Sequence, residues 1–164
     1  MNHNTGQIDG FSAIEMMVVV AIIGILAMIA IPSSLGRIVR EQVKTALPLA
    51  DVAKEPIAAA WKSLKILPKN NQEAGLPAAE KIVSNFASRV EIQEGAIHLT
   101  FGNKAHKVLQ GKVITLRPAV IEESNIVPVE WVCGNANPPE KMVAKGENKT
   151  NVPEEFLPML CRKG

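Results

Sequence analysis

A chain of 164 residues leaves room for one compact domain of ordinary size beyond its amino-terminal apolar run. Its formal net charge of +2 is too balanced to argue for nucleic acid by itself, and with no Tyr, four Phe and two Trp any packed core must be mostly aliphatic. No Gly-rich phosphate loop, nucleophile elbow or zinc-helix signature occurs, which disfavours the common enzyme classes.

The first element is the stretch GFSAIEMMVVVAIIGILAMIAIPSS, Gly10 to Ser34. From Phe11 to Ile31 only Ser12 and Glu15 are polar. About 20 such residues suffice for a helix to cross the hydrocarbon core of a bilayer. A secretory signal peptide fits badly, because no Lys or Arg precedes the apolar run and the run ends in Ile31-Pro32 rather than a small-x-small site. A plain membrane anchor fits the length but leaves Glu15 unexplained. A lone carboxylate in a spanning helix costs about 2.5 to 3.5 kcal/mol, so such charges are usually paired and functional.

From Ser33 to Leu64 apolar residues recur at Leu35, Ile38, Val39, Val43, Ala46, Ala50, Ala53, Ile57, Ala60, Trp61 and Leu64, the spacing of a half-buried helix. Pro48 and Pro56 each remove a helical hydrogen bond, and kinks are expected there. Lys65 to Leu76 reads as a connecting loop. Strands are expected at Arg89–Gln93, Ala96–Phe101, Lys112–Leu116 and Val127–Cys133, with Glu94-Gly95 forming a tight hairpin. Four consecutive strands with short links predict an antiparallel sheet, one face of which covers the apolar stripe of the helix. The fold class is therefore α+β.

The remaining polar residues invite bland readings. His98 and His106 lack ligand-spaced partners and read as surface or strand histidines. Glu122-Glu123 reads as a solvated pair, and Asn148-Lys149-Thr150 fits the N-glycosylation triplet. Lys104, His106, Lys107 and Lys112 cluster between two strands. Such a cluster can bind phosphates, DNA included, but without aromatic stacking partners a solvated loop is the preferred reading.

The string Gly10 to Glu15, GFSAIE, followed by an uninterrupted apolar run and Pro32, resembles the amino-terminal signature of type IV prepilins, type IVa-like. The stretches EGAIHLTFGNKAHKVLQGKVITLRP and VEWVCGN are similar to the family's strand sequences, so the resemblance covers nearly the whole chain. It implies three parts. Residues 1–10 are a leader removed by prepilin peptidase, 11–35 the transmembrane and filament-core half of the first helix, and 36–164 a globular head. It also implies cleavage between Gly10 and Phe11 with N-methylation of Phe11, and a bend in the helix at Pro32. Cleavage creates an α-amine at Phe11, cationic with a reference pKa of about 7.7 to 8.0. In a stack of such chains Glu15 pairs with the Phe11 amine of a neighbour. The leader departs from the family in carrying Asp9 and no basic residue, while Arg37, Arg40 and Lys44 flank the far end of the run.

Because the head then faces the oxidising periplasm, the only two cysteines, Cys133 and Cys161, are expected to form a disulfide rather than to remain separate buried thiols. The stretch between them, rich in Pro, Asn, Lys and Glu, matches the family's disulfide-bounded carboxy-terminal region. The function implied is a structural subunit of a type IV pilus, a homo-oligomeric helical filament serving adhesion, twitching motility or DNA uptake. Its partners are prepilin peptidase and the inner-membrane assembly platform. It resides in the inner membrane before assembly and in the extracellular pilus afterwards. The alternatives are a minor pilin or type II secretion pseudopilin and, disfavoured by the absent site chemistry, a membrane-anchored periplasmic enzyme. No cofactor is implied.

Overall fold

The computed structural model describes residues 10–164, apart from the side chains of residues 29–34. Residues 1–9, which fall in the expected leader, and the side chain of Pro32, with the bend expected there, lie outside the described residues. The chain divides into two compact units, Met1–Leu35 and Gly36–Gly164.

The first helix, α1, spans Ala13–Ala46. In the amino-terminal unit its described side chains point outward, apolar ones included: Phe11 is 80% exposed and Met28 79%. No helix among the described residues is long and apolar enough to cross a membrane. The apolar run itself continues into residues 29–34, whose side chains are not described.

In the head the apolar residues of the last part of α1 and of α2, Asp51–Leu64, turn inward. Val39, Val43, Ala46, Ala50, Ala53, Ile57 and Trp61 are all buried. They recur in steps of three or four, which keeps one seam toward the sheet. The expected stripe was broader: Leu35, Ile38 and Leu64 lie exposed. The expected kinks resolve differently at the two prolines. At Pro48 the α-helix gives way to a 3-10 turn over Leu47–Ala50, where a residue without an N–H is accommodated. Pro56 lies inside α2 without ending it. The helix stops at Lys65, whose left-handed backbone (φ 54°) lets its N–H donate to the carbonyl of Trp61.

The sheet contains β1 Ala87–Gln93, β2 Ala96–Phe101, β3 Val113–Val120, β4 Glu130–Cys133 and β5 Val143–Ala144. Its order is β1-β2-β3-β4, all antiparallel, with β5 pairing β3 off that path. Glu94 and Gly95, both at positive φ (48° and 81°), make the two-residue turn between β1 and β2, which matches the right-handed strand twist. Val90, Ile92, Ile97, Leu99, Phe101, Ile114 and Leu116 meet the helical seam in one mostly aliphatic core.

Two expected strands change length. β3 runs past its expected end at Leu116 through Pro118. The register explains why. Pairing with β2 extends no further than Leu116, and pairing with β5 begins at Ala119, so the missing N–H of Pro118 falls in the gap between them. β4 begins at Glu130 rather than Val127, since Val127-Pro128 precede the ladder.

The segment between α2 and β1 is tied down by buried Asn71. Its side-chain amide donates to the carbonyls of Pro77 (3.1 Å) and Val90 (3.0 Å), and its side-chain oxygen accepts from the Ile92 N–H (2.7 Å). Read from sequence as a plain loop, this stretch is fixed by one residue that no periodicity marks.

Candidate functional site

The amino-terminal residues singled out by the sequence form a solvent-facing helix start. Gly10 has nothing within 4 Å of where a Cβ would sit. Ser12 and Glu15 face each other across the first turn: the Ser12 N–H donates to Glu15 Oε2 at 2.8 Å, and the Glu15 N–H donates to Ser12 Oγ at 3.3 Å. This reciprocal pair is a capping box, which satisfies two backbone donors that a helix start otherwise leaves free. The sequence reading missed it, although the signal, a serine followed three residues later by a glutamate ahead of an apolar run, is plain in Ser12-Ala-Ile-Glu15. Around it Phe11, Ile14, Val18 and Val19 line a shallow apolar hollow. The surface offers apolar area with one carboxylate set in it, which suits packing against another apolar helix that brings a cation.

At the other end of the chain the disulfide joins Cys133, at the end of β4, to Cys161, in a 3-10 turn over Met159–Cys161. Gly134 is required beside it. Its φ is +56°, and a Cβ there would lie 2.6 Å from the carbonyl oxygen of Cys161. The Asn135 N–H donates to that same oxygen at 2.8 Å, so the bridge is flanked by a backbone bond. The enclosed stretch is more structured than its polar composition suggests. It supplies β5, the Lys145 N–H donates to the Pro118 carbonyl at 2.8 Å, and Val152 and Leu157 enter the core. Beside the bridge, Leu47, Leu116, Trp131 and Leu160 wall an open groove of about 580 Å³. There the Lys54 ammonium stands 5.9 Å from the ring centroid of Trp131.

The other residues singled out do not converge on either end. Lys104 and Lys107 are exposed, while His106 is half-buried. The loop carrying them is held by Gln42, whose Oε1 accepts from the His106 N–H at 2.8 Å, and by Ala105 and Leu109, which pack into the core. Glu122 and Glu123 are exposed, as expected of a solvated pair, with Glu122 bonded to Lys145. Asn148 of the glycosylation triplet spends its amide on Asn135 Oδ1 at 3.0 Å. Of the two readings for His98, surface or strand, the strand one holds. His98 is 3% exposed in β2, with Nδ1 2.9 Å from Thr115 Oγ1, and burial holds its pKa below the ordinary value. Among the described residues no group of three His, Cys, Asp or Glu is placed to hold a metal ion.

Comparison with known proteins gives consistent results. The sequence model of the Pilin family, bacterial filament proteins, matches residues 39–162. The chain is 31% identical to the type IV major pilin protein PilE of Neisseria gonorrhoeae over 97% of this chain and 96% of that protein. It is 29% identical to a fimbrial protein of Neisseria meningitidis serogroup B over the same shares, and 29% identical to the fimbrial protein EcpC of Eikenella corrodens over 93% and 90%. With a head of helical seam and antiparallel sheet, a cystine-closed carboxy-terminal region and a family model that spans most of its length, the chain belongs to the pilin family of bacterial filament proteins.

Proposed function

We propose that the chain is a structural subunit of a type IV pilus. The observation that carries this reading is that a member of the pilin family keeps the described apolar side chains of its amino-terminal unit on the outside, where only a lipid phase or other copies of the chain bury them. Residues 1–10 act as a leader for prepilin peptidase, cut between Gly10 and Phe11, and Phe11 becomes the N-methylated first residue. Residues 11–35 hold the subunit in the inner membrane until the assembly platform moves it into an extracellular filament of identical chains. Glu15 then neutralises the Phe11 amine of an adjacent subunit. Its capping bond to Ser12 keeps the carboxylate at the helix surface and leaves an acceptor oxygen free.

Mass spectrometry of filaments sheared from cells tests this reading. The expected product begins at methylated Phe11 and dominates the filament fraction. Gly10→Val should leave full-length precursor in the membrane, because the larger side chain blocks close approach of the backbone to the peptidase. Glu15→Val should be cleaved and stay in the membrane but fail to enter filaments, since the neighbouring ammonium loses its partner in a dry environment. Filaments whose subunits begin elsewhere, or normal assembly of Glu15→Val in cells lacking the wild-type chain, would overturn the assignment.

A further inference from the structure

Part of the sheet face turned away from the helices is also buried, at Ala96, His98 and Thr115, and what covers it comes from inside the cystine-bounded region. Residues 146–151 cross that face to the side of β3. A Cβ on Gly146 would lie 2.6 Å from the Cβ of Ala96, so the backbone of the segment rests directly on β2. The Lys149 N–H donates to Thr115 Oγ1 at 3.1 Å, and the Thr115 N–H donates to Thr150 Oγ1 at 3.0 Å. Val113 and Asn151 exchange two more bonds: the Asn151 N–H to the Val113 carbonyl at 3.0 Å, and the Val113 N–H to Asn151 Oδ1 at 2.7 Å. Apart from Gly146 against Ala96 this attachment is polar.

Beneath it sits His98, with Thr115 opposite in the register and wholly buried. At Nδ1 the donor and acceptor inventory suits a neutral ring, while Nε2 lacks a partner in either charge state. Thr115 Oγ1 already accepts the Lys149 N–H. In the neutral state the Thr115 hydroxyl donates its single proton to His98 Nδ1, or Nδ1–H donates to the second lone pair of that oxygen. His98 Nε2 is buried and has no partner. A second ring proton therefore places a cation in a dry site with an unpaired N–H, a cost relieved only when water reaches Nε2.

We infer that residues 146–151 form a pH-released strap, held on the outer face of the sheet while His98 is uncharged and lifted when His98 takes a second proton.

The charges around the ring pull in both directions. Lys149 on the strap and Arg89 on β1 oppose the imidazolium, Glu91 on β1 and Glu147 on the strap favour it, and Arg117 of β3 lies on the same face two places from Thr115. Burial outweighs the two carboxylates, so the folded value lies below that of a free histidine. A histidine whose folded pKa is depressed contributes stability above its unfolded value of about 6.5, and that contribution is lost as pH falls toward the folded value. Release is therefore an acid event. The disulfide keeps both ends of the released segment attached, so lifting the strap leaves the chain intact and reversible.

Hydrogen exchange on the full chain in detergent micelles tests the strap, with rates corrected for the intrinsic pH dependence of exchange. Between about pH 7.5 and about pH 5.0 the opening of peptides covering residues 143–152 should rise severalfold, while β1 and β2 amides stay protected. In His98→Gln the strap should show no pH response over that range. A pH-independent strap in the wild type, or an equal acid response in His98→Gln, overturns the inference. Should His98→Gln fail to fold, Glu91→Gln decides: removing a carboxylate that favours the imidazolium should move the acid transition to lower pH, and an unmoved or raised midpoint refutes the role of His98.

Discussion

The two units of this chain use the same aliphatic residue types in opposite ways. Ile23 in the amino-terminal unit is 59% exposed, whereas Ile57 in the head is 0% exposed, and both are isoleucines on helices. The head supplies its own partner for the seam from Val39 to Trp61, in the form of a sheet. The amino-terminal unit supplies none for its described residues. Hydrophobicity alone therefore does not say what a segment is for. What matters is whether the same unit also encodes the surface that will cover it.

The most direct way to break this comparison is to make the same cut in both units. Ile57→Ala removes three buried carbons from a site walled by the sheet and should destabilise the head by about 2 to 5 kcal/mol, toward the upper end because the side chain is wholly enclosed. Ile23→Ala should leave head unfolding unchanged to within about 0.5 kcal/mol. Both tryptophans, Trp61 and Trp131, lie in the head, so denaturant unfolding followed by their fluorescence reads that unit alone. A matching loss from Ile23→Ala would mean that the two units fold as one.

Next in size is the covalent closure. Replacing both Cys133 and Cys161 by Ser should cost the head about 3 to 4 kcal/mol, the chain-entropy value for a separation of 28 residues. Protease should then cut first between residues 134 and 160. Equal unfolding midpoints with and without reductant would show that the noncovalent ties of that region, β5 and the bonds to Val113 and Thr115, suffice by themselves.

The smallest effect belongs to the helix start. Ser12→Ala should cost about 1 kcal/mol of local helix stability by removing one arm of the capping box. Amide exchange should quicken over the first turn after Ala13 and stay unchanged throughout the head. A head response to Ser12→Ala would blur the division that Ile23 and Ile57 draw.

How much of this was legible in the sequence depended on whether a periodic pattern carried the signal. β2 falls on its expected residues because alternation from Ile97 to Phe101 is uninterrupted, and β1 gains only two residues at its start. Helix burial was legible wherever the three-four spacing met the sheet, and misjudged at Leu35, Ile38 and Leu64, where apolar residues face outward. The disulfide was legible from the compartment that the resemblance implied. The strap was not, since its attachments run through Thr115, Thr150 and Asn151, side chains whose bonds to the backbone follow no period. The strand position of His98 was among the expected readings, but its burial was not, for the same reason: nothing local reveals that a distant polar segment lies over it. Glu15 was noticed for its charge, while its capping bond, readable from Ser12 three residues earlier, was overlooked.

Asn71 has a consequence beyond fixing a loop. β1 stands at one end of the sheet order, where a strand exposes a row of unpaired carbonyls and N–H groups. The Val90 carbonyl and the Ile92 N–H are taken by one asparagine side chain, whose amide imitates the backbone of a neighbouring strand, and the carbonyls of Pro68 and Lys69 take the N–H groups of Gly95 and Glu94 just beyond. A free border of this kind is a template on which strands of other copies add, the usual route to amyloid-like aggregation. Heads crowded at the spacing of a polymer meet one another at very high local concentration. With these groups of the border taken by the chain's own loop, that crowding finds a shorter template here, which favours association of the copies through other surfaces.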